Sequence, residues 1–165
     1  MGVTSTLLGI ILLVITAAPV PKALARCTAP AFPVVYVIDG DTIVVANRGR
    51  RVTVRLLGID APETKDPRRP PELGGREAAE FLERLLHGEC VLLSLDEHAD
   101  TIDGYGRVLA YVTRERDGLC VNMALVASGH ARAIRHFMYG ERSAFLELER
   151  RARAARIGMW RRGAP

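Results

Sequence analysis

The sequence predicts an α+β domain in which a five-stranded β-barrel carries three α-helices. Five short segments rich in β-branched residues occur as a group of three followed by a group of two. Segments with helical spacing of apolar residues follow the third of these strands and the fifth. The chain has 165 residues, which is enough for one domain with its own core.

The first three strands are separated by turns at Asp39-Gly40-Asp41 and Asn47-Arg48-Gly49. They are predicted at Phe32–Ile38, Thr42–Ala46 and Val52–Ile59. Because side chains alternate along a strand, Val54 and Leu56 are predicted on one face of the third strand and Arg55 on the opposite face.

A charged, proline-rich loop over 61–75 precedes the first helix, and a loop of this length in a small domain is usually functional. The helices are predicted at Arg76–His87, Val121–Ser128 and Ser143–Arg156, and the last two strands at Cys90–Leu95 and Arg107–Thr113. Ser143 is predicted to cap the third helix, whose apolar stripe is Phe145, Leu148, Ala152 and Ala155. This order of elements is that of the five-stranded oligonucleotide/oligosaccharide-binding barrel.

Residues 1–25 differ from the rest of the chain. They contain no acidic residue, and an apolar run from Leu7 to Ala18 is followed by the small-x-small sequence that ends at Ala25. These features predict a signal peptide cleaved after Ala25 and an exported domain over 26–165, secreted or periplasmic. An uncleaved membrane anchor is the alternative, although the run is shorter than the ~20 residues of a spanning helix.

Three cysteines follow the apolar segment, at positions 27, 90 and 120. In an antiparallel pair, the start of one strand lies beside the end of the next. A disulfide between Cys90 and Cys120 is therefore predicted, with Cys27 free. The four histidines are isolated, and none has the spacing of a zinc site.

The formal net charge is +4, and arginine supplies nearly all of the basic residues. Since arginine is the planar, bidentate partner of phosphate, this composition permits a polyanionic ligand but does not by itself indicate one.

Charged residues occur at the ends of several predicted strands, where each by itself suits an ordinary solvated turn. Together they suit phosphodiester hydrolysis. The carboxylates of Asp41 and Asp60 are hard ligands for Ca²⁺ or Mg²⁺. Glu63 can orient or deprotonate a water molecule. Arg55 and Arg107 can bind a phosphate and stabilise the charge that develops on it. The sequence contains neither a Ser-His-Asp set nor a glycine-rich phosphate loop. Hydrolysis by an activated water molecule is therefore favoured over a covalent intermediate.

Four segments resemble the staphylococcal-nuclease-like, or thermonuclease, family, in order and in spacing. They are VIDGDT (37–42), RLLGIDAPET (55–64), DGYGRVLAYV (103–112) and VNMALVASGHA (121–131). The resemblance extends from about Val34 to Trp160. It implies a monomeric endonuclease, without a stable protein partner, that uses Ca²⁺ to hydrolyse DNA and RNA and leaves 3′-phosphate ends.

The resemblance also implies a role for each matching residue. Asp41, Asp60 and the main-chain carbonyl of Ala61 correspond to the calcium ligands, Glu63 to the residue that activates or positions water, and Arg55 with Arg107 to the phosphate-binding pair. The positions assigned to the substrate are Tyr105, Lys65, Arg68, Arg69 and Phe137. The basic loop that holds Lys65, Arg68 and Arg69 could equally serve solubility alone.

The chain departs from the family at the aromatic pair that flanks the nucleotide base. This pair aligns near Arg135 and Phe137, so a single aromatic residue is left, and base preference is open. Two other functions are compatible with a barrel of this kind: a nucleic-acid-binding module without catalysis, and an exported protein-interaction module. The presence of all three carboxylates and both arginines favours the enzyme.

Overall fold

The computed structural model describes residues 27–63 and 72–162. The strands are β1 (Phe32–Asp39), β2 (Thr42–Asn47), β3 (Arg50–Leu56), β4 (Ile59–Asp60), β5 (Cys90–Ser94), β6 (Val108–Arg114) and β7 (Arg132–Ala133). The helices are α1 (Gly75–Leu86), α2 (Val121–Ala127) and α3 (Arg142–Ala154), followed by a 3-10 helix (Gly158–Arg162). In these residues no helix is long and apolar enough to cross a membrane, and the predicted signal peptide lies outside them.

Five strands close into a barrel in the order β1-β2-β3-β6-β5, which confirms the predicted fold class. All pairs are antiparallel except β3 with β6, where Arg55 lies opposite Leu109. Val54 and Leu56 are fully buried inside the barrel, as the alternation predicts. Arg55 is therefore on the outer face of β3, beside the loops that connect the strands.

The third strand is shorter than predicted. It ends at Leu56, and the chain turns at Gly58, whose φ of +78° favours glycine. Ile59–Asp60 then forms a separate two-stranded sheet with Arg132–Ala133. A two-residue strand is too short to show a periodic pattern, which is why the sequence did not reveal this sheet. The turn brings Asp60 back toward the outer face of β3.

The predictions for the third helix were partly wrong. The helix begins at Arg142, Glu141 occupies its N-cap position, and no side chain caps it, so Ser143 does not. Ala155 follows the helix and is exposed. Glu149 is instead buried on α3, with 1% of its surface exposed, and it pairs with Arg135 from the loop after β7 and with Arg153 of α3.

The predicted disulfide is also wrong. Cys27 is bonded to Cys90 with a Cα–Cα distance of 5.6 Å, and Cys120 is free. Pairing of β1 with β5 closes the barrel and brings the segment before β1 to the start of β5, where Pro33 lies opposite Cys90. Cys120 forms a β-bridge with Thr113 of β6, and Thr113 also pairs with Leu92 of β5. The strand β6 therefore lies between Cys120 and Cys90.

We expect replacement of both Cys27 and Cys90 by serine to lower the free energy of unfolding by about 4 kcal/mol. The reason is that the bond joins residues 63 apart in sequence and restricts the unfolded chain. Thermal melts of the oxidised protein and the double variant measure the change. Cys120→Ser is the matched control and should melt near the parent. Equal melting of all three proteins would show that the bond contributes nothing.

Candidate active site

A single guanidinium group connects the two predicted metal-binding carboxylates. Nη2 of Arg55 lies 3.0 Å from Oδ2 of Asp41 and 3.2 Å from Oδ1 of Asp60. Pairing of β2 with β3 sets the first contact, because Arg55 lies opposite Thr42, the residue after Asp41. The turn after β3 sets the second contact, between Arg55 and Asp60. The three residues that the sequence predicted as a group are thus in direct contact.

The side chain of Arg55 is fixed by its own strand end. Its Nη1 donates hydrogen bonds to the carbonyl oxygens of Ile59 at 2.9 Å and Leu56 at 3.3 Å. The side chain is 14% exposed, so these contacts hold it in a largely buried position. Such a fixed, partly desolvated guanidinium is well suited to bind an anion without loss of conformational freedom.

Asp41 is buried, with 5% of its surface exposed. Its Oδ2 accepts a hydrogen bond from the backbone N–H of Ala61 at 2.7 Å, and its Oδ1 accepts one from Thr42 Oγ1 at 3.0 Å. Burial raises the pKa of this carboxyl to about 7, against the opposing effect of the Arg55 guanidinium. A further positive charge nearby would therefore stabilise the ionised form of Asp41.

The glycine of the Asp39-Gly40-Asp41 turn has a packing role that the sequence did not indicate. A Cβ atom at position 40 would lie 2.6 Å from Cβ of Ala61 and 2.7 Å from Cβ of Ala78 in α1. No side chain fits there. The turn can therefore approach both neighbours closely enough for Asp41 to reach the backbone of Ala61.

Glu63 lies at the base of the basic loop. Its side chain is exposed, and its backbone carbonyl accepts a hydrogen bond from the N–H of Glu72 at 2.7 Å. This bond joins the two ends of the segment 64–71, so Glu63 is anchored through its main chain. Lys65, Arg68 and Arg69 lie within that segment, outside the described residues.

Arg107 precedes β6 on the same side of the sheet as Arg55, because Leu109, two residues later, lies opposite Arg55. Its Nε lies 2.7 Å from Oδ2 of Asp103, and its guanidinium lies 5.3 Å from the ring centroid of Tyr105. Tyr105 is 87% exposed. Arg107 and Tyr105 therefore form one surface, on the side of the sheet that carries Arg55.

Asp103 is a positioning residue that sequence analysis did not assign. Although partial burial opposes ionisation, hydrogen bonds from Arg107 and Tyr105 lower the pKa of its carboxyl. These bonds include the backbone N–H groups of Arg107 at 3.0 Å and Tyr105 at 2.9 Å. The signal was present in the sequence, since aspartate commonly closes a turn onto the backbone two residues later.

The two positions that align with the base-flanking aromatic pair have different environments. Phe137 contacts the rings of His136 and Tyr139 and lines a groove of about 520 Å³ together with Leu109 and Met138. Arg135 instead forms an ion pair with the buried Glu149 at 2.7 Å. One position thus offers an aromatic surface, and the other holds α3 in place.

The donor atoms of the cluster fit a hard divalent cation. Asp41 and Asp60 supply carboxylate oxygens close together, since both contact one nitrogen of Arg55, and carboxylate oxygens are the ligands that such cations prefer. Elsewhere in the described residues, a different group of three potential ligands comes together, at Cys27, Cys90 and Glu115. Two of its members form the disulfide, so it is not available to a metal.

Comparison with known proteins gives consistent results. Residues 53–162 match the family described as "Staphylococcal nuclease homologue". The thermonuclease of Staphylococcus hyicus is 38% identical over 110 residues, 67% of this chain and 63% of its own length. Endonuclease YncB of Bacillus subtilis is 34% identical over 127 residues, 74% of this chain and 58% of its own length. The chain thus spans about three-fifths of the length of these relatives.

Proposed function

The chain belongs to the staphylococcal nuclease family, and on that premise we propose that it is a metal-dependent endonuclease. The proposed substrates are DNA and RNA, the proposed cofactor is Ca²⁺, and the proposed products carry 3′-phosphate ends. The observation that carries this proposal is the contact of Arg55 with both Asp41 and Asp60, which joins a phosphate-binding group to a pair of metal-binding carboxylates.

The arginines are proposed to bind the scissile phosphate. Arg55 reaches it from the fixed position at the end of β3, and Arg107 from the adjacent loop on the same side of the sheet. The negative charge on the phosphate oxygens increases as water attacks phosphorus. Charge-assisted hydrogen bonds from two guanidinium groups stabilise that charge more strongly than they stabilise the ground state.

The carboxylates divide into two roles. Asp41 and Asp60, with the main-chain carbonyl of Ala61, would hold Ca²⁺, whose chemical contribution is to polarise a phosphate oxygen and neutralise charge. Glu63, which is exposed and follows β4, orients a water molecule or accepts its proton. Tyr105, whose ring lies beside Arg107, and Phe137, which lines a groove together with Leu109, are proposed to contact the nucleotide.

Export of the domain is part of the proposal. The Cys27–Cys90 disulfide supports it, because such bonds persist mainly in oxidising compartments. Residues 1–25, acting as a signal peptide, would direct the domain there and would then be removed.

The decisive experiment incubates the purified protein with plasmid DNA and with RNA, in Ca²⁺ or in an excess of chelator. We expect cleavage in Ca²⁺ alone, with 3′-phosphate ends that block polymerase extension until a phosphatase removes them. Binding without cleavage would support the non-catalytic binding module instead. Absence of both would favour the protein-interaction module.

Replacement of Asp41 by asparagine should weaken Ca²⁺ binding about 10- to 100-fold, because a charged ligand is lost at a site with few ligands. DNA binding measured in chelator should change little, since both arginines are retained. Calorimetric titration with Ca²⁺ tests this expectation. Asp117→Asn, at the far end of β6, is the control. Equal calcium affinity in Asp41→Asn and the parent would remove Asp41 from the metal site.

A further inference from the structure

We propose that a second groove beside the candidate active site binds the phosphate of a nucleotide that flanks the scissile bond, an inference that rests on the proposed nuclease function. The arginine groove, as we name it, has a volume of about 310 Å³ and is lined by Asp60, Arg132, Arg135, Glu149 and Arg153, among others. None of its arginines belongs to the predicted catalytic set.

The arginine groove begins where the candidate active site ends. Asp60 contacts Arg55 on one side and lines the groove on the other. Arg132 lies directly opposite Asp60 in the β4–β7 sheet, and residues that are directly opposite share a face with their Cβ atoms about 4.5–5.5 Å apart. A strand whose scissile phosphate contacts Arg55 would therefore have a neighbouring phosphate within reach of Arg132.

Two of the three arginines are already neutralised in part. Glu149 is 1% exposed and accepts hydrogen bonds from Nη2 of Arg135 at 2.7 Å and from Nη2 of Arg153 at 2.8 Å. Two positive charges thus share one buried negative charge. These contacts fix both arginines at the wall of the groove and leave it an excess of positive charge.

Arg132 has no ion-pair partner among residues 27–63 and 72–162. Its guanidinium lies 5.8 Å from the ring centroid of Trp160. The guanidinium of Arg153 lies 3.9 Å from the same centroid. Trp160 is 5% exposed, so this support is rigid. Asp60, directly opposite Arg132, already pairs with Arg55, so the half-buried guanidinium of Arg132 lies beside the groove without an ion pair of its own. It is therefore preorganised to bind an anion.

The environment of Arg132 is better explained by binding of a phosphate of a nucleic acid strand than by a purely structural role. Arg135 and Arg153 explain the burial of Glu149 without help from Arg132, which makes no ion pair with that carboxylate. A single strand in the active site continues on either side of the scissile bond, and each added phosphate contact increases affinity and its dependence on salt.

The test compares Arg132→Gln with Arg116→Gln, which removes the same charge from an exposed position beyond the opposite end of β6. Binding of a fluorescent single-stranded oligonucleotide is measured by anisotropy in chelator, so that the result does not depend on cleavage. We expect Arg132→Gln to bind roughly 5- to 10-fold more weakly and to reduce the slope of log K against log salt by about 0.7 relative to the control. Arg132→Lys should recover most of the slope.

Cleavage assays then locate the lost contact. On a long single strand in Ca²⁺, Arg132→Gln should raise KM and leave kcat unchanged, whereas on a dinucleotide with a single phosphodiester it should match the parent. If Arg132→Gln and Arg116→Gln melt at the same temperature and show the same dependence of binding on salt, the inference about the groove is overturned. The proposed nuclease function would still stand if the parent protein cleaves the substrate. A parent that binds but does not cleave would overturn the nuclease, and the binding slopes would still decide the role of the groove.

Discussion

Replacement of Glu63 by glutamine is expected to slow cleavage of DNA by about 10²–10⁴-fold, the usual contribution of general acid–base catalysis. An amide cannot accept the proton of the attacking water at neutral pH. The side chain is exposed and the residue is anchored through its backbone, so the fold should persist. The measurement is kcat under saturating Ca²⁺ and DNA, beside a thermal melt.

Glu72→Gln is the matched control for this experiment. Glu72 is an exposed glutamate at the other end of the same loop, and its backbone N–H makes the hydrogen bond to Glu63. Glu72→Gln should cleave DNA at the parental rate. Calcium and DNA affinities should be retained in both variants. A parental kcat in Glu63→Gln would mean that another group activates the water.

Replacement of Arg107 by alanine is expected to lower kcat by about 10²–10³-fold, because a charge-assisted contact that strengthens in the transition state is lost. The contacts of Arg107 are local, to Asp103 and to the ring of Tyr105, and none of them joins two elements of the barrel. Stability should therefore be nearly unchanged. The test is single-turnover cleavage in saturating Ca²⁺, with Arg116→Ala as the control for loss of charge.

Arg107 is the more informative of the two phosphate-binding arginines. Arg55 also binds two backbone carbonyls and two carboxylates, so its removal would leave the buried Asp41 without a cation and disturb the strand end. A loss of activity in that variant would mix chemistry with misfolding. If Arg107→Ala retains parental kcat and a parental melt, Arg107 does not act on the phosphate.

The convergence of the site was predictable because it depends on local patterns. Alternation along the third strand put Arg55 outside and Val54 inside, and strand ends in a small barrel lie near one another. Arg55 and Asp60 are five positions apart and are joined by one short turn, and the hairpin of β2 and β3 brings Asp41 beside them. Asp103 was identifiable by the same local chemistry, as the acceptor of its own turn.

The wrong predictions share a different cause. The disulfide was assigned by considering the β5–β6 pair alone, whereas closure of the barrel by β1 and β5 decides which cysteine meets Cys90. The β4–β7 sheet joins residues more than 70 positions apart in pairs too short to have a periodicity. The aromatic position at Arg135 was recognised as a departure, but the partner of that arginine on α3 was not visible.

The sequence by itself determined the fold class, the barrel strands and the residues that converge at the end of β3, since periodicity, turn chemistry and motif spacing are properties of neighbouring residues. Only the tertiary structure decided the disulfide pairing, the burial of Glu149 between two arginines and the position of Arg132 beside Asp60. Those features depend on how the barrel closes and on where β7 and α3 pack against it. Contacts between distant segments are set by the packing of the whole domain, which no local pattern encodes.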